Sequence, residues 1–97
     1  MVFNKVIFDK HRNILTGKKA EYEVRFRDDP QNVDAFLKYH IVDAVLQNTG
    51  VLSEEQLSMV VEQKCRREGV AFNMEIFHED CGVIAVYAGQ SKDVLSR

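Results

Sequence analysis

Apolar and polar residues alternate in the first quarter of the chain. Val2 to Phe8 is rich in Val, Ile and Phe, and Ala20 to Arg27 places Ala, Tyr, Val and Phe at every second position. Alternation with a period of two is typical of a half-buried β-strand. Asn13 and Gly17 lie between the two segments and favour a turn. The pattern therefore predicts an antiparallel β-hairpin whose turn spans residues 10–17.

The next segment follows a helical period instead. Asp29 and Pro30 suit the N-cap and the first position of a helix, and Gly50 suits its C-terminal cap. Between them, apolar residues and one histidine recur at three- and four-residue spacing, which predicts an amphipathic helix. These residues are Val33, Phe36, Leu37, His40, Ile41, Ala44 and Val45.

A second helix is predicted from the strongest local signal in the chain. Ser53 and Gln56 have the spacing of a capping box, in which each side chain binds the other residue's free backbone N–H. Gly69 provides the matching stop. The apolar stripe between these ends consists of Leu57, Val60, Val61 and Cys65.

The last third of the chain predicts a second hairpin. Residues 71–77 alternate again, residues 78–82 read as a turn, and residues 83–88 are apolar throughout. A continuous apolar run of this length indicates a strand that is buried on both faces. Residues 90–97 are expected to form a frayed C-terminal tail.

These elements predict a single α+β domain over residues 1–97 with the order β-β-α-α-β-β. We expect a four-stranded, mainly antiparallel sheet with both helices on one face. Two helices leave the other face of the strand at residues 83–88 uncovered, and a homodimer would cover it.

The distribution of charge and the absence of a leader pattern indicate where in the cell the protein acts. The net charge is -2, but residues 1–27 hold seven Lys or Arg and three Asp or Glu, while residues 28–62 hold one Lys and seven acids. No basic-then-apolar leader opens the chain and the longest apolar run is far below the roughly 20 residues that span a bilayer. We therefore expect a cytoplasmic protein in which Cys65 and Cys81 are free thiols.

The residues that could support catalysis or bind metal form no complete set. His78 and Cys81 have the spacing of half a zinc site, but a structural site needs four ligands and no second close pair exists. Cys65 lies on the apolar stripe of its helix, which favours a packed thiol over a redox-active one. No arrangement of Ser, His and Asp suggests nucleophilic catalysis. We expect no enzyme activity, metal or cofactor.

The leading functional hypothesis is a small protein-interaction module that binds and modulates another protein, as an accessory protein or an inhibitor does. Ile14 and Leu15 are two large aliphatic residues in the predicted turn, flanked by Arg12 and Lys18. If they do not pack back onto the core, they form an exposed apolar tip with a basic rim. Such a patch is typical of a partner-docking surface.

The alternative is a nucleic-acid-binding regulator that uses the basic hairpin. Its candidate residues are Lys10, Lys18, Lys19, Arg25 and Arg27. A two-stranded ribbon with basic side chains can follow phosphates or enter the major groove. However, Glu21 and Glu23 share the exposed face, and the pI of about 5.9 lies below the range above about 9 of dedicated nucleic-acid domains.

Overall fold

Four α-helices form the structure, a computed structural model that describes residues 5–49, 52–85 and 87. They are α1 (Lys5–Asp28), α2 (Val33–Gln47), α3 (Glu54–Glu68) and α4 (Met74–Ala85). The described residues contain no β-strand, so the predicted α+β class and the β-β-α-α-β-β order are wrong. The fold is all-α.

Helix α1 occupies the place of the first predicted hairpin. The described part of its first strand, its turn and its second strand all lie within this one helix, and residues 2–4 lie outside the described residues. Phe8, Leu15 and Tyr22 are buried, and their seven-residue spacing corresponds to two helical turns. Gly17 does not end the helix. It faces open space, where an added Cβ would meet no atom within 4 Å.

Helix α4 occupies the place of the second predicted hairpin. Phe77, Cys81 and Ile84 are buried, and their spacings of four and three residues are those of one helix face. Asn73 starts the helix by accepting the Ile76 backbone N–H on its side-chain oxygen at 3.1 Å. The predicted turn at residues 78–82 is therefore helical.

The predicted strand at residues 83–88 is also wrong where the structure describes it. Residues 83–85 complete α4 and residue 87 lies in a turn, while residues 86 and 88 and the predicted tail at 90–97 lie outside the described residues. The homodimer was inferred from a strand that is buried on both faces. Because α4 replaces that strand, the argument for a second subunit no longer applies.

Helix α2 confirms the first predicted helix but begins and ends with different caps. Its N-cap is Asn32, which accepts the Ala35 backbone N–H at 3.0 Å, and Pro30 lies in the preceding turn. Its C-cap is Asn48, and Gly50 lies outside the described residues.

Helix α3 confirms the second predicted helix together with its capping box. Ser53 Oγ accepts the Gln56 backbone N–H at 3.1 Å, and the Ser53 backbone N–H donates to Gln56 Oε1 at 2.9 Å. Gly69 ends the helix with a φ of 70°, in the left-handed region that favours glycine.

Helix α2 is the central element and packs against each of the other three helices. Buried side chains from all four helices meet in one core. α1 packs most extensively on α2 and has one buried face, and α4 also packs on α2. The candidate sites lie on α1 and where α1, α2 and α4 meet.

Candidate functional site

The exposed side of α1 carries a large apolar residue near the middle of the helix. Leu15 is fully buried, whereas Ile14 precedes it by one position and is 45% exposed. Successive side chains of an α-helix are about 100° apart around its axis. The same helix therefore directs Leu15 into the core and Ile14 towards solvent.

Two lysines flank Ile14 on the same side of α1. Lys10 lies one turn before Ile14 and Lys18 one turn after, a spacing that places side chains on one face. Lys10 is exposed, and Lys18 is half-buried with its Nζ 3.6 Å from Glu21 Oε2. We call the set of Lys10, Ile14 and Lys18 the Ile14 surface. It presents an aliphatic side chain between two ammonium groups.

A contact with the turn residue Tyr87, which follows α4, anchors this part of α1. His11 Nδ1–H donates to the Tyr87 carbonyl oxygen at 3.3 Å, and the two rings meet edge-on with centroids 6.0 Å apart. Val83 lies four residues before Tyr87 on α4 and is also exposed. The sequence pattern did not single out Val83, because the predicted strand buried it on both faces.

The structure separates the four predicted partner-binding residues into three locations. Ile14 and Lys18 lie on one side of α1, and Leu15 lies in the core. Arg12 is two residues from Ile14, about 200° around the helix. Its guanidinium carbon lies 5.1 Å from the Phe8 ring centroid. Only Ile14 and Lys18 remain together, and Lys10, assigned by sequence to the nucleic-acid alternative, joins them.

The five residues of the nucleic-acid alternative do not share one face. Lys10, Lys18, Lys19, Arg25 and Arg27 lie along a single helix. Their spacing places Lys10, Lys18 and Arg25 within about 80° of one another around its axis, whereas Lys19 and Arg27 point in other directions. Lys19 Nζ lies 2.8 Å from Asp43 Oδ1, and Lys18 and Arg25 both pair with Glu21. The predicted basic ribbon is thus replaced by a helix whose cations are partly neutralised.

A buried acid lies where α1, α2 and α4 meet. Asp80 of α4 is only 2% exposed, and its Oδ1 lies 3.9 Å from Lys38 Nζ on α2. The same ammonium lies 2.8 Å from Asp34 Oδ2 and 5.8 Å from the centroid of the Tyr22 ring on α1. Within the described residues, Asp80 Oδ2 has no hydrogen-bond partner.

The environment of Asp80 favours its neutral form. Burial and the neighbouring Asp34 carboxylate raise the pKa of Asp80 to about 8, against the opposing effect of Lys38. For Asp34, partial burial would raise the pKa, but the Asp80 carboxyl and Lys38 outweigh it and lower the pKa. The pair therefore consists of a neutral acid and a carboxylate at neutral pH. Sequence reasoning missed this cluster because it placed Asp80 in an exposed turn.

A contact between a histidine and a glutamate joins α3 to α4. His78 Nδ1 contacts the Glu54 carboxylate at the edge of an open cavity of about 310 Å³ that Ser58, Met74 and Phe77 also line. The Ser58 hydroxyl donates to the Glu55 carbonyl at 2.7 Å. This hydrogen bond holds the hydroxyl against its own helix, so the serine is not aligned as a nucleophile for the His–Glu pair.

The candidate half zinc site is not assembled. His78 is exposed while Cys81 is buried in the core, so the two side chains point in different directions. Among the described residues, no group of three His, Cys, Asp or Glu side chains is arranged to hold a metal ion.

A scan against protein-family models gave no match, and neither did searches of the curated proteins and of the solved structures. In the part of the chain that the structure describes, no helix is both long and apolar enough to cross a bilayer.

Proposed function

We propose that this protein is a small helical interaction module that binds another protein through the Ile14 surface and modulates it, as an accessory protein or an inhibitor does. The observation that carries the proposal is the 45% exposure of Ile14 on a helix whose neighbouring Leu15 is fully buried. The helix is well packed, so the exposure of Ile14 is a property of the folded state. A single exposed aliphatic residue is common on protein surfaces, so the proposal rests on Ile14 together with the two lysines that flank it on the same face of α1.

The two lysines define the chemistry of the partner. Lys10 and Lys18 place ammonium groups one turn on either side of Ile14, and Glu21 already pairs with Lys18. A complementary surface therefore has an apolar side chain next to a carboxylate that faces Lys10. Opposite charges at the rim of an interface accelerate association and select the partner more than they add affinity. We infer an acidic segment, with a pocket or apolar side chain that receives Ile14, as the recognised element.

A binding role fits the described chemistry better than a catalytic one. Asp80, a described carboxyl group whose pKa is strongly raised, is closed off from solvent. A general acid or base must come within hydrogen-bond reach of a substrate. The Ser58 hydroxyl beside the His78–Glu54 pair is held by a backbone carbonyl.

The test compares the wild-type protein with Ile14→Asp and a matched control, Val24→Asp. Val24 lies on the same helix and is 43% exposed, but it points about 80° away around the axis. Each protein is immobilised and exposed to extract from the organism that encodes it, and retained proteins are quantified by mass spectrometry. Circular dichroism checks that all three baits are equally helical.

We expect the wild type and Val24→Asp to retain the same protein in equal amounts. We expect Ile14→Asp to retain about tenfold less of it. Burying an aliphatic side chain contributes about 1.5–3 kcal/mol, and each 1.4 kcal/mol changes affinity about tenfold. Equal retention by Ile14→Asp would contradict the proposal.

Nucleic-acid binding is a distinct outcome of the same comparison. Fluorescence anisotropy with duplex DNA, single-stranded DNA and RNA at about 50 and 200 mM salt measures it, because phosphate contacts weaken steeply over that range. If binding weakens with salt and is unchanged in Ile14→Asp, the basic residues of α1, and not the Ile14 surface, form the binding site.

A further inference from the structure

Asp80 packs α4 against α2 in a cluster that balances the charge of only one ionised carboxylate. Asp34 and Asp80 share a single ammonium group, that of Lys38, which is 2.8 Å from the Asp34 oxygen and 3.9 Å from the Asp80 oxygen. Lys38 therefore neutralises Asp34 first. A charge on Asp80 would be buried, and its Oδ2 accepts no hydrogen bond from the described residues.

Among the residues that the structure describes, the charged and titratable groups around Asp80 do not supply a second cation for it. On α2 these groups are Asp34 and Lys38, and on α4 Glu79 adds negative charge. On α1, the Tyr22 ring lies against the Lys38 ammonium, and the positive charge of Arg25 helps to lower the pKa of Asp34. On α3, the negative charge of Glu54 helps to raise the pKa of the Cys81 thiol, which lies next to Asp80 in the sequence.

Ionised Asp80 has two ways to regain a partner. It can compete with Asp34 for Lys38, or it can reach water by moving away from α2. Burying a charge without a partner is strongly unfavourable, and the second route needs only a displacement of α4. Because α4 is the shortest of the four helices and packs chiefly on α2, such a displacement leaves the α1–α2 pair in place.

We propose that Asp80 is a proton-operated latch: the neutral acid keeps α4 packed on α2, and loss of its proton releases α4 from that contact. The proposal concerns the α2–α4 contact and does not depend on the function of the Ile14 surface.

The direction of the pH dependence follows from proton linkage. The pKa of Asp80 is about 8 in the packed form and returns towards 3.8 when the side chain is exposed to water. The packed form thus binds the proton more tightly, so its stability is greatest at acidic pH and decreases as the pH rises towards 8. One proton changes the open-to-packed ratio by up to about tenfold per pH unit in this interval.

Two NMR measurements test the latch. The first follows the side-chain carboxyl ¹³C shift of Asp80 in the wild-type protein between pH 3 and pH 10. The second measures amide hydrogen exchange of α4 and α1 between pH 6 and pH 8, with each rate corrected for the pH dependence of exchange in an unfolded chain. The proteins are the wild type, Asp80→Asn and, as a control for charge at the neighbouring exposed position, Glu79→Gln.

We expect Asp80 to titrate near pH 8, and the protection of α4 to fall by up to about tenfold per pH unit in the wild type and in Glu79→Gln. In Asp80→Asn the protection of α4 changes with pH much less than in the wild type. In the wild type and in Glu79→Gln the protection of α1 changes less than that of α4. Titration of Asp80 below pH 5, or the same loss of α4 protection in Asp80→Asn, would overturn the latch.

A further variant keeps the proposal testable if Asp80→Asn does not fold. Asp34→Asn removes the exposed competitor for Lys38, so Asp80 should titrate at lower pH and α4 should remain protected at pH 8. An unchanged Asp80 titration in Asp34→Asn would show that the two carboxylates do not compete and would overturn the mechanism.

Discussion

Ile14 and Leu15 are adjacent in the sequence but lie in different environments. A turn could have placed both on the surface or both in the core, and the sequence reasoning treated them as a pair. In the helix, Leu15 follows Phe8 by seven residues and shares its buried face, whereas Ile14 lies beside that face. A double substitution of the pair would therefore unfold the protein, and only Ile14 can be changed to test the surface.

Two polar residues pack among apolar side chains, and only one of them could be anticipated. The helical spacing of apolar residues in α2 predicts that His40 lies on the apolar face of the helix. In the structure its ring packs edge-on against Phe36, with the ring centroids 4.4 Å apart. Burial lowers the pKa of His40. Asp80 could not be anticipated, because its burial depends on α4 being a helix and on α2 lying beside it.

The two thiols give a prediction at the residue scale. Burial raises the pKa of both Cys65 and Cys81, and nearby carboxylates add to the effect. Because the thiolate is the reactive form, we expect neither cysteine to react with a disulfide reagent at the rate of a free thiol at pH 7.5. Both should react rapidly in denaturing urea.

The measurement is the release of the coloured thiol product with time. Cys65→Ser and Cys81→Ser assign any signal to one residue. Fast labelling of Cys65 in the native protein would contradict its burial and would support the redox role that its position made unfavourable.

At the scale of elements, helices with strong local signals were predicted and the others were not. α3 has a capping box and a glycine stop, which act within a few residues. α1 has no such cap in its described residues, and its alternating segment from Ala20 to Arg27 resembles a strand. However, Tyr22 and Phe26 are also four residues apart, so the same segment is compatible with one apolar face of a helix. Because Asn13 and Gly17 favour a turn, the seven-residue spacing of Phe8, Leu15 and Tyr22 was not interpreted as a helix.

The capping box of α3 gives a prediction at this scale. Ser53→Ala removes the side-chain acceptor for the Gln56 N–H and should lower the free energy of unfolding by about 1 kcal/mol. Ser58→Ala is the matched control, because Ser58 only donates to a carbonyl of its own helix and alanine favours helix.

Urea unfolding, followed by circular dichroism at 222 nm, measures both changes. A loss in Ser58→Ala equal to that in Ser53→Ala would show that the cap does not stabilise α3 in the way that the hydrogen bonds indicate.

At the scale of the whole molecule, the arrangement of helices around α2 decides which residues form sites. Lys18 and Ile14 could be grouped from sequence because they are close along the chain. The separation of Arg12 from them required the helical geometry of α1. The Asp34–Lys38–Asp80 cluster required the packing of α4 on α2, which the two predicted hairpins excluded.

The central claim is that α1 is a helix with one buried face, because both the Ile14 surface and the Tyr22 side of the Asp80 cluster depend on it. Tyr22 and Val24 test it most directly. A half-buried strand would place both on the same face, whereas in α1 Tyr22 is 5% exposed and Val24 is 43% exposed.

The measurement is the free energy of unfolding of Tyr22→Ala and Val24→Ala in urea. The helical structure predicts a loss of about 3 kcal/mol or more for Tyr22→Ala and a change within about 0.5 kcal/mol for Val24→Ala. Large losses of similar size in the two variants would indicate a strand and contradict the structure on which both proposals rest.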